Sequence, residues 1–162
     1  MKILEGNELK EAAKYVKKAA DASKKSICSV SKVGVVLVKD GKVIGEANNG
    51  PSRKACNPCL MELLDRGVKT ELCFAMHAEE RAVLDALEKG NDIEGATIYS
   101  AKVVGGEMIP YKNGFCAACA RVFLEAGLDK VVIPKEDGLT QYDPEEYYDV
   151  SFDRFVQKKF IM

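Results

Sequence analysis

Histidine, net positive charge and long apolar runs are all scarce in this sequence. His77 is the only histidine among 162 residues. The 24 lysines and arginines are matched by 25 aspartates and glutamates, and without bulk positive charge a long nucleic acid is not the expected partner. No apolar run approaches the ~20 residues of a membrane-spanning helix, and the first residues, MKILEGNELK, lack the apolar stretch of a signal peptide. We therefore expect a cytoplasmic protein without a membrane segment.

The composition is that of a globular domain. Hydrophobic residues make up 47% of the chain and charged residues 30%, which is enough to bury a substantial core. The sequence shows no internal repeat, low-complexity tract or linker. We predict a single domain over residues 1–162, with a core over about 5–135 and a helical extension over about 143–160.

Helical and strand patterns alternate along the chain. Three segments carry the periodicity or end signals of helices: 7–25, 77–90 and 116–126. Four segments have the composition of strands: 33–39, 42–47, 96–104 and 130–135. Asp40-Gly41 predicts a two-residue hairpin turn, and the strand–helix–strand order at 96–134 predicts a parallel crossover. The fold class is therefore α/β.

Two short motifs begin two of the predicted helices. One is HAE, with His77 and Glu79, and the other is CAAC, with Cys116 and Cys119. The backbone amides of a first helical turn favour anionic sulfur, and zinc prefers tetrahedral nitrogen and sulfur donors. Two thiolates and one imidazole leave a fourth position open, as in catalytic zinc sites. Zinc lowers the pKa of bound water to ~7, and Glu79 can carry that water's proton to a leaving group.

Each motif alone has a plainer interpretation. A single histidine is more often a hydrogen-bonded structural residue than a ligand, and a lone CxxC can be the redox pair of a thioredoxin-like fold. A redox pair, however, would leave HAE without a role. Because both motifs begin helices in an ordered α/β alternation, we favour a zinc site formed by His77, Cys116 and Cys119.

With HAEE followed by CAAC, the chain resembles the zinc-dependent cytidine and deoxycytidylate deaminase superfamily, whose signature is H-x-E followed by P-C-x-x-C. The resemblance covers roughly residues 5–135 and implies a three-layer α/β/α fold, with a mixed sheet of about five strands and helices on both faces. It implies a hydrolase in which zinc hydroxide attacks the amino-bearing ring carbon of a cytosine nucleotide or nucleoside and releases ammonia. It also implies a homo-oligomer.

Carried over position by position, the resemblance also implies substrate contacts. Asn49 in EANNGP matches the family's residue that contacts the sugar or base, and Ala78 between the histidine and the glutamate is a second expected contact. A phosphate-bearing substrate needs a nearby cation. Arg53, Lys54 and Lys112 are the candidates.

The remaining cysteines resemble those of the deoxycytidylate branch. They lie before the first strand, in the loop after Asn-Gly and just upstream of HAE: Cys28, Cys56, Cys59 and Cys73. Four thiolates with a CxxC among them can form a closed structural zinc site that fixes the 48–73 loop to the sheet. The plainer interpretation is that some of them, Cys28 first, are buried thiols. We expect one catalytic zinc and a second, structural one.

Some features depart from the family pattern and leave the substrate open. Glu80 and Arg81 stand where the deoxycytidylate branch usually carries neutral polar residues, and an excursion at 101–115 is expected to lie over the mouth of the site. One alternative is deamination of another aminated ring, namely guanine, a modified base or tRNA adenosine. Another is a catalytically silent zinc-binding scaffold, although the presence of Glu79 argues against it.

Overall fold

A computed structural model describes residues 1–29, 31–51, 59, 73–111 and 116–160. This part of the chain contains four helices: α1 (Gly6–Ser23), α2 (Ala78–Glu88), α3 (Ala117–Glu125) and α4 (Pro144–Phe160). It also contains nine strands: β1 (Lys2–Ile3), β2 (Lys32–Lys39), β3 (Lys42–Asn48), β4 (Gly50–Pro51), β5 (Ala75–Met76), β6 (Thr97–Val104), β7 (Glu107–Ile109), β8 (Lys130–Lys135) and β9 (Gly138–Tyr142). The helix and strand patterns of the sequence correspond to α1 to α3 and to β2, β3, β6 and β8.

Seven strands of the described chain form one mixed sheet. Six follow the order β1-β9-β8-β6-β2-β3, and β7 pairs with β6. β6 and β8 are parallel and α3 lies between them in the chain, so the predicted crossover is confirmed. The sheet has more than the expected five strands, and the three strands for which the sequence predicted no segment are β1, β7 and β9, of two, three and five residues. β1 and β7 are too short to show the side-chain alternation of a strand.

Alternate residues of β2 face opposite layers. Val35 and Leu37 pack in a core with α2, α3 and α4, whereas Val36 and Val38 pack in a second core with α1. Burying a valine or leucine side chain contributes about 1.5–3 kcal/mol, so both faces of the central strand stabilise the fold. The result is three layers, with one helix on one face of the sheet and three on the other.

The hairpin between β2 and β3 has the predicted turn. Asp40 and Gly41 both have positive φ, 50° and 73°, and Lys39 pairs with Lys42 across them. This is the type I′ geometry that a two-residue Asp-Gly loop favours. The hydroxyl of Tyr15 donates to the carbonyl of Gly41 at 2.8 Å and ties the turn to α1.

Gly34 in β2 lies where α1 crosses the sheet. A Cβ atom at this position would lie 1.9 Å from the carbonyl oxygen of Ala19 and 2.4 Å from the amide nitrogen of Ser23. Both atoms belong to helix backbone, which cannot move aside as a flexible side chain does. Glycine therefore allows α1 to pack directly against the strand.

The described part of the excursion at 101–115 extends the sheet. β6 continues to Val104, turns at Gly105 and Gly106, and returns as β7. Tyr111 follows as a buried residue, with its hydroxyl oxygen 2.6 Å from that of Ser100. Residues 112–115 are not among the described residues, so a position over the mouth of the site stays a prediction.

The C-terminal helix α4 packs against α3. Asp143 accepts a hydrogen bond from the amide of Glu146 at 2.8 Å and caps the helix, with Pro144 at its first position. The ring of Tyr147 lies 5.6 Å from that of Phe123, between centroids. None of the helices in the described chain combines the length and apolarity needed to cross a membrane.

Candidate metal and substrate site

The first turns of α2 and α3 bring the two motifs together. His77 is the residue before α2, and Cys116 is the residue before α3, where its sulfur accepts from the amide of Cys119 at 3.5 Å. One ligand atom from each of these three residues lies within 4.8 Å of the other two. His77 Nδ1 is 3.2 Å from the sulfur of Cys119. The predicted convergence of an imidazole and two thiols is therefore present.

The donor set fits zinc. Ligand bonds of about 2.0–2.1 Å to nitrogen and about 2.3 Å to sulfur place tetrahedral donors about 3.6–3.8 Å apart, within the spread found here. Cys119 is buried, Cys116 is partly buried and His77 is exposed, so the group is open on the imidazole side. Among the described residues it is the one cluster of three or more metal-ligating side chains at this spacing.

The three donors shift one another's pKa. Hydrogen bonding from Cys119, with help from His77, lowers the pKa of Cys116 to about 4. Hydrogen bonding to Cys116 raises the pKa of His77 to about 9. The pKa of Cys119 is raised by its hydrogen bond to Cys116 and by burial. Cys116 is thus a thiolate at neutral pH, while metal binding would require the other two groups to release protons.

Glu79 lies in the first turn of α2, beside His77. Burial raises the pKa of its carboxyl group, and the charge of His77 opposes part of that rise. A carboxyl group whose pKa is raised towards neutrality can both take up and release a proton during turnover. Its position next to a metal ligand and its buried environment therefore suit a residue that carries a proton.

A cavity of about 190 Å³ opens next to His77. Its described lining residues come from three parts of the chain and from Cys59: Ile27, Cys28, Ser29 and Ser31; Asn49 and Pro51; and Cys73, Ala75, Met76 and His77. Asn49, one of the predicted substrate contacts, is part of the wall and is 8% exposed. Ala78, another predicted substrate contact, is fully buried at the first position of α2 and does not line this cavity. The cavity is therefore the candidate substrate side of the site.

Hydrogen bonds fix the orientation of the Asn49 side-chain amide. Its Oδ1 accepts from the amide of Val33 at 2.8 Å and from the hydroxyl of Ser26 at 2.9 Å, while its Nδ2 donates to the carbonyl of Ser31 at 2.9 Å. A backbone N–H can only donate, so Oδ1 cannot exchange places with Nδ2. The second Nδ2 hydrogen remains, and Asn49 can therefore offer a substrate a donor.

The cysteines outside CAAC do not form a cluster within the described residues. Cys28, Cys59 and Cys73 line the cavity, but among the residues that the structure describes no three metal-ligating groups that include them lie within 4.8 Å of one another. Four predicted site residues lie outside the described residues: the zinc ligand Cys56 and the phosphate contacts Arg53, Lys54 and Lys112. The second zinc and the phosphate contacts stay predictions.

Sequence reasoning missed two residues that support the substrate side. Ser26 binds Asn49, as described above, and Arg81 donates from Nη1 to the carbonyl of Asn48 at 2.8 Å. Nothing in the sequence distinguishes Ser26 from any other loop serine. Arg81 did carry a signal, because it departs from the family pattern, but its partner could be found only from the fold.

Known proteins resemble the chain over most of its length. A family model for the cytidine and deoxycytidylate deaminase zinc-binding region matches residues 9–135. The deoxycytidylate deaminase of Mycobacterium phage D29 is 33% identical over 127 residues, which are 73% of this chain and 89% of the phage protein. The deoxycytidylate deaminase of Schizosaccharomyces pombe is 29% identical over 125 residues, which are 73% of this chain but only 35% of the yeast protein.

One solved structure is similar in both fold and sequence. The dCMP deaminase of cyanophage S-TIM5, in complex with dCMP and dUMP, superposes with a TM-score of 0.57 and 26% identity, over 79% of this chain and 82% of the phage chain. The expected cytidine-deaminase-like fold, a mixed sheet with helices on both faces, is confirmed.

Proposed function

The chain belongs to the cytidine and deoxycytidylate deaminase family, and from this premise we propose that it is a zinc-dependent hydrolase that deaminates a cytosine nucleotide, with deoxycytidylate as the favoured substrate. The main support for this proposal is that His77, Cys116 and Cys119 converge, with Glu79 in the adjoining helical turn. Two deoxycytidylate deaminases among the relatives favour the nucleotide over other aminated rings. The net charge of −1 offers no support for tRNA.

Zinc bound by His77, Cys116 and Cys119 would supply the Lewis acidity that activates water at neutral pH. The carboxylate of Glu79 accepts a proton from the attacking water and delivers a proton to the departing amino nitrogen. Cytosine and water thereby become uracil and ammonia. Asn49 directs its free Nδ2 hydrogen to an acceptor oxygen of the sugar or base, and Ala78 is retained as the second substrate contact.

The finer parts of the proposal concern phosphate and the second metal. Arg53, Lys54 and Lys112 are the cations proposed to bind the 5′-phosphate. Cys28, Cys59 and Cys73 border one cavity, and this supports a structural zinc that they would bind together with Cys56. We further propose a cytoplasmic location, because a site that needs reduced thiols suits a reducing compartment.

Exposed apolar side chains on the outer surface support a homo-oligomer. Leu84 and Leu87 of α2 are 54% and 51% exposed, and Leu124 of α3 is also exposed. Beside them lies a cavity of about 500 Å³ that includes Val83 and Val122 among its lining residues. Apolar surface of this kind is commonly covered by another subunit.

We also propose that residues 1–162 act as one unit, since α4 packs on α3.

Glu79→Gln tests the proposed function. The variant keeps the three metal donors but cannot carry a proton, so we expect unchanged zinc content and a fall in ammonia release from deoxycytidylate of about 10³-fold. Glu80→Gln is the matched control, since it neutralises the adjacent carboxylate, and it should stay within a few-fold of the native rate. Zinc is measured by elemental analysis and ammonia by a coupled assay.

The same assay distinguishes the alternatives. Purified protein is offered cytosine, adenine and guanine compounds, each with and without phosphate. Activity on another ring would replace the proposed substrate, and zinc-loaded protein that releases no ammonia from any of them would favour the scaffold. Loss of zinc in Glu79→Gln would show that the assigned role of the glutamate is wrong.

A further inference from the structure

We propose that Arg81 is a positioning residue that fixes the segment 48–50, and with it Asn49, against α2 on the substrate side of the site. The inference rests on the proposed function, because it gives Arg81 a part in substrate binding. It concerns a side chain that contacts neither the metal donors nor Glu79 through any hydrogen bond of the described structure.

Arg81 connects the two halves of the site. Its backbone amide donates to the carbonyl of His77 at 3.2 Å, one helical turn back, so the backbone of Arg81 is directly bonded to that of a metal ligand. Its side chain leaves α2 and donates to the carbonyl of Asn48 at 2.8 Å. No carboxylate of the described chain forms an ion pair with the guanidinium, so no salt bridge there draws it away from this carbonyl.

The guanidinium also lies against the segment that carries Asn49. A Cβ atom on Gly50 would be 3.8 Å from Nη1 of Arg81. The segment is also held near the start of α2 by the pairing of Gly50 with Met76, the residue before His77. Hydrogen bonds from a charged donor are among the stronger ones in proteins. Arg81 therefore restrains Asn48, the residue before Asn49, whereas the β4–β5 pairing restrains Gly50, the residue after it.

The restraint acts on substrate binding more than on chemistry. Ser26, Val33 and Ser31 hold the side chain of Asn49, but they can present it correctly only if its backbone stays in place. Loss of the Arg81 side chain would let this backbone move without displacing the metal donors. A change confined to uniform substrate binding raises KM and leaves kcat unchanged.

Arg81→Ala and Arg81→Lys test the inference, with Asp85→Ala as the matched control. Asp85 lies one turn further along α2, and its Oδ2 accepts from the amide of Glu46 at 2.8 Å. Its loss removes a hydrogen bond between α2 and Glu46 and leaves the bond from Arg81 to Asn48 intact. For Arg81→Ala we expect KM for deoxycytidylate to rise about tenfold with kcat within about twofold. Arg81→Lys should recover part of the loss, because an ammonium can donate to the same carbonyl, and Asp85→Ala should leave KM unchanged.

Hydrogen exchange gives a readout that does not depend on turnover. The amide of Asn49 donates to the carbonyl of Val33 at 3.0 Å, and its exchange should accelerate in Arg81→Ala but not in Asp85→Ala. An unchanged KM and unchanged exchange in Arg81→Ala would overturn the inference, as would an equal loss in kcat. If the native protein releases no ammonia, the proposed function fails, and the exchange rates alone decide whether Arg81 positions the segment.

Discussion

The metal side and the substrate side of this site are held in place in different ways. On the metal side, His77 and Cys116 precede helices and Cys119 lies in a first turn, so helical backbone orients each donor, and the approach of the two helix starts brings the donor atoms within 4.8 Å of one another. On the substrate side, Asn49 lies between two strands and depends on hydrogen bonds from other segments of the chain. The orientation of each metal donor follows from local sequence, whereas the orientation of the Asn49 side chain follows from tertiary contacts.

This difference predicts that substitutions on the two sides reduce activity in different ways. A change to a metal donor removes a group that nothing else replaces, and activity should be lost together with zinc. A change to a supporting residue of the substrate side leaves other hydrogen bonds in place, and the loss should be partial and confined to KM.

Cys119→Ser should have the largest effect. The buried Cys119 supplies a sulfur donor, and a serine hydroxyl is a poor replacement for a thiolate on zinc. We expect loss of the catalytic zinc and a fall in ammonia release of at least about 10³-fold. Elemental analysis and the ammonia assay on the same preparation measure both quantities.

Cys73→Ser is the control from the other cysteine group. Cys73 lines the cavity and is exposed, so the catalytic zinc and most of the activity should remain. A fall from two zinc ions per chain to one, with activity retained, would support the structural zinc. Equal losses of activity in the two cysteine variants would contradict the contrast between the two sides.

Gly34→Ala tests the scaffold on which both sides depend. The added Cβ would meet the backbone of α1 at 1.9 Å, so we expect the free energy of unfolding to fall by about 3 kcal/mol or more. Gly90→Ala is the control, because Gly90 has φ of 74° but no atom within 4 Å of the added Cβ. It should lose only about 1–2 kcal/mol. Urea unfolding measures both values, and equal losses would show that the close approach of α1 is not what Gly34 provides.

Features encoded locally could be predicted from the sequence. The HAE and CAAC motifs mark helix starts, Asp40-Gly41 marks a type I′ turn, and the strand–helix–strand order marks a parallel crossover; the structure has all of them. The motif and turn signals lie within a few consecutive residues of the structure that they predict, whereas the crossover is predicted from the order of elements over residues 96–134. That the two motifs share a metal is a long-range inference, made from the donor types and the order of elements and supported by the family resemblance.

Features that depend on distant partners could not be predicted. β1 pairs with β9 from the other end of the chain, through residues such as Lys2 and Gln141. The contact of Ser26 with Asn49 spans 23 residues, and that of Arg81 with Asn48 spans 33. The sequence around these residues does not indicate which distant residue each one contacts, because loop serines, arginines and two-residue strands occur in many structural settings.

Ser26→Ala should have the smallest effect and is the sharpest test of the substrate side. The Ser26 hydroxyl lies 2.7 Å from the carbonyl oxygen and 2.9 Å from Oδ1 of Asn49. Without it, Val33 and Ser31 still orient the amide. One neutral hydrogen bond contributes about 0.5–1.5 kcal/mol, so KM should rise about two- to tenfold while kcat and zinc content stay native. Ser23→Ala, which removes a buried hydroxyl bonded within α1, should leave KM unchanged; loss of zinc in Ser26→Ala would mean that the two sides of the site are not separable.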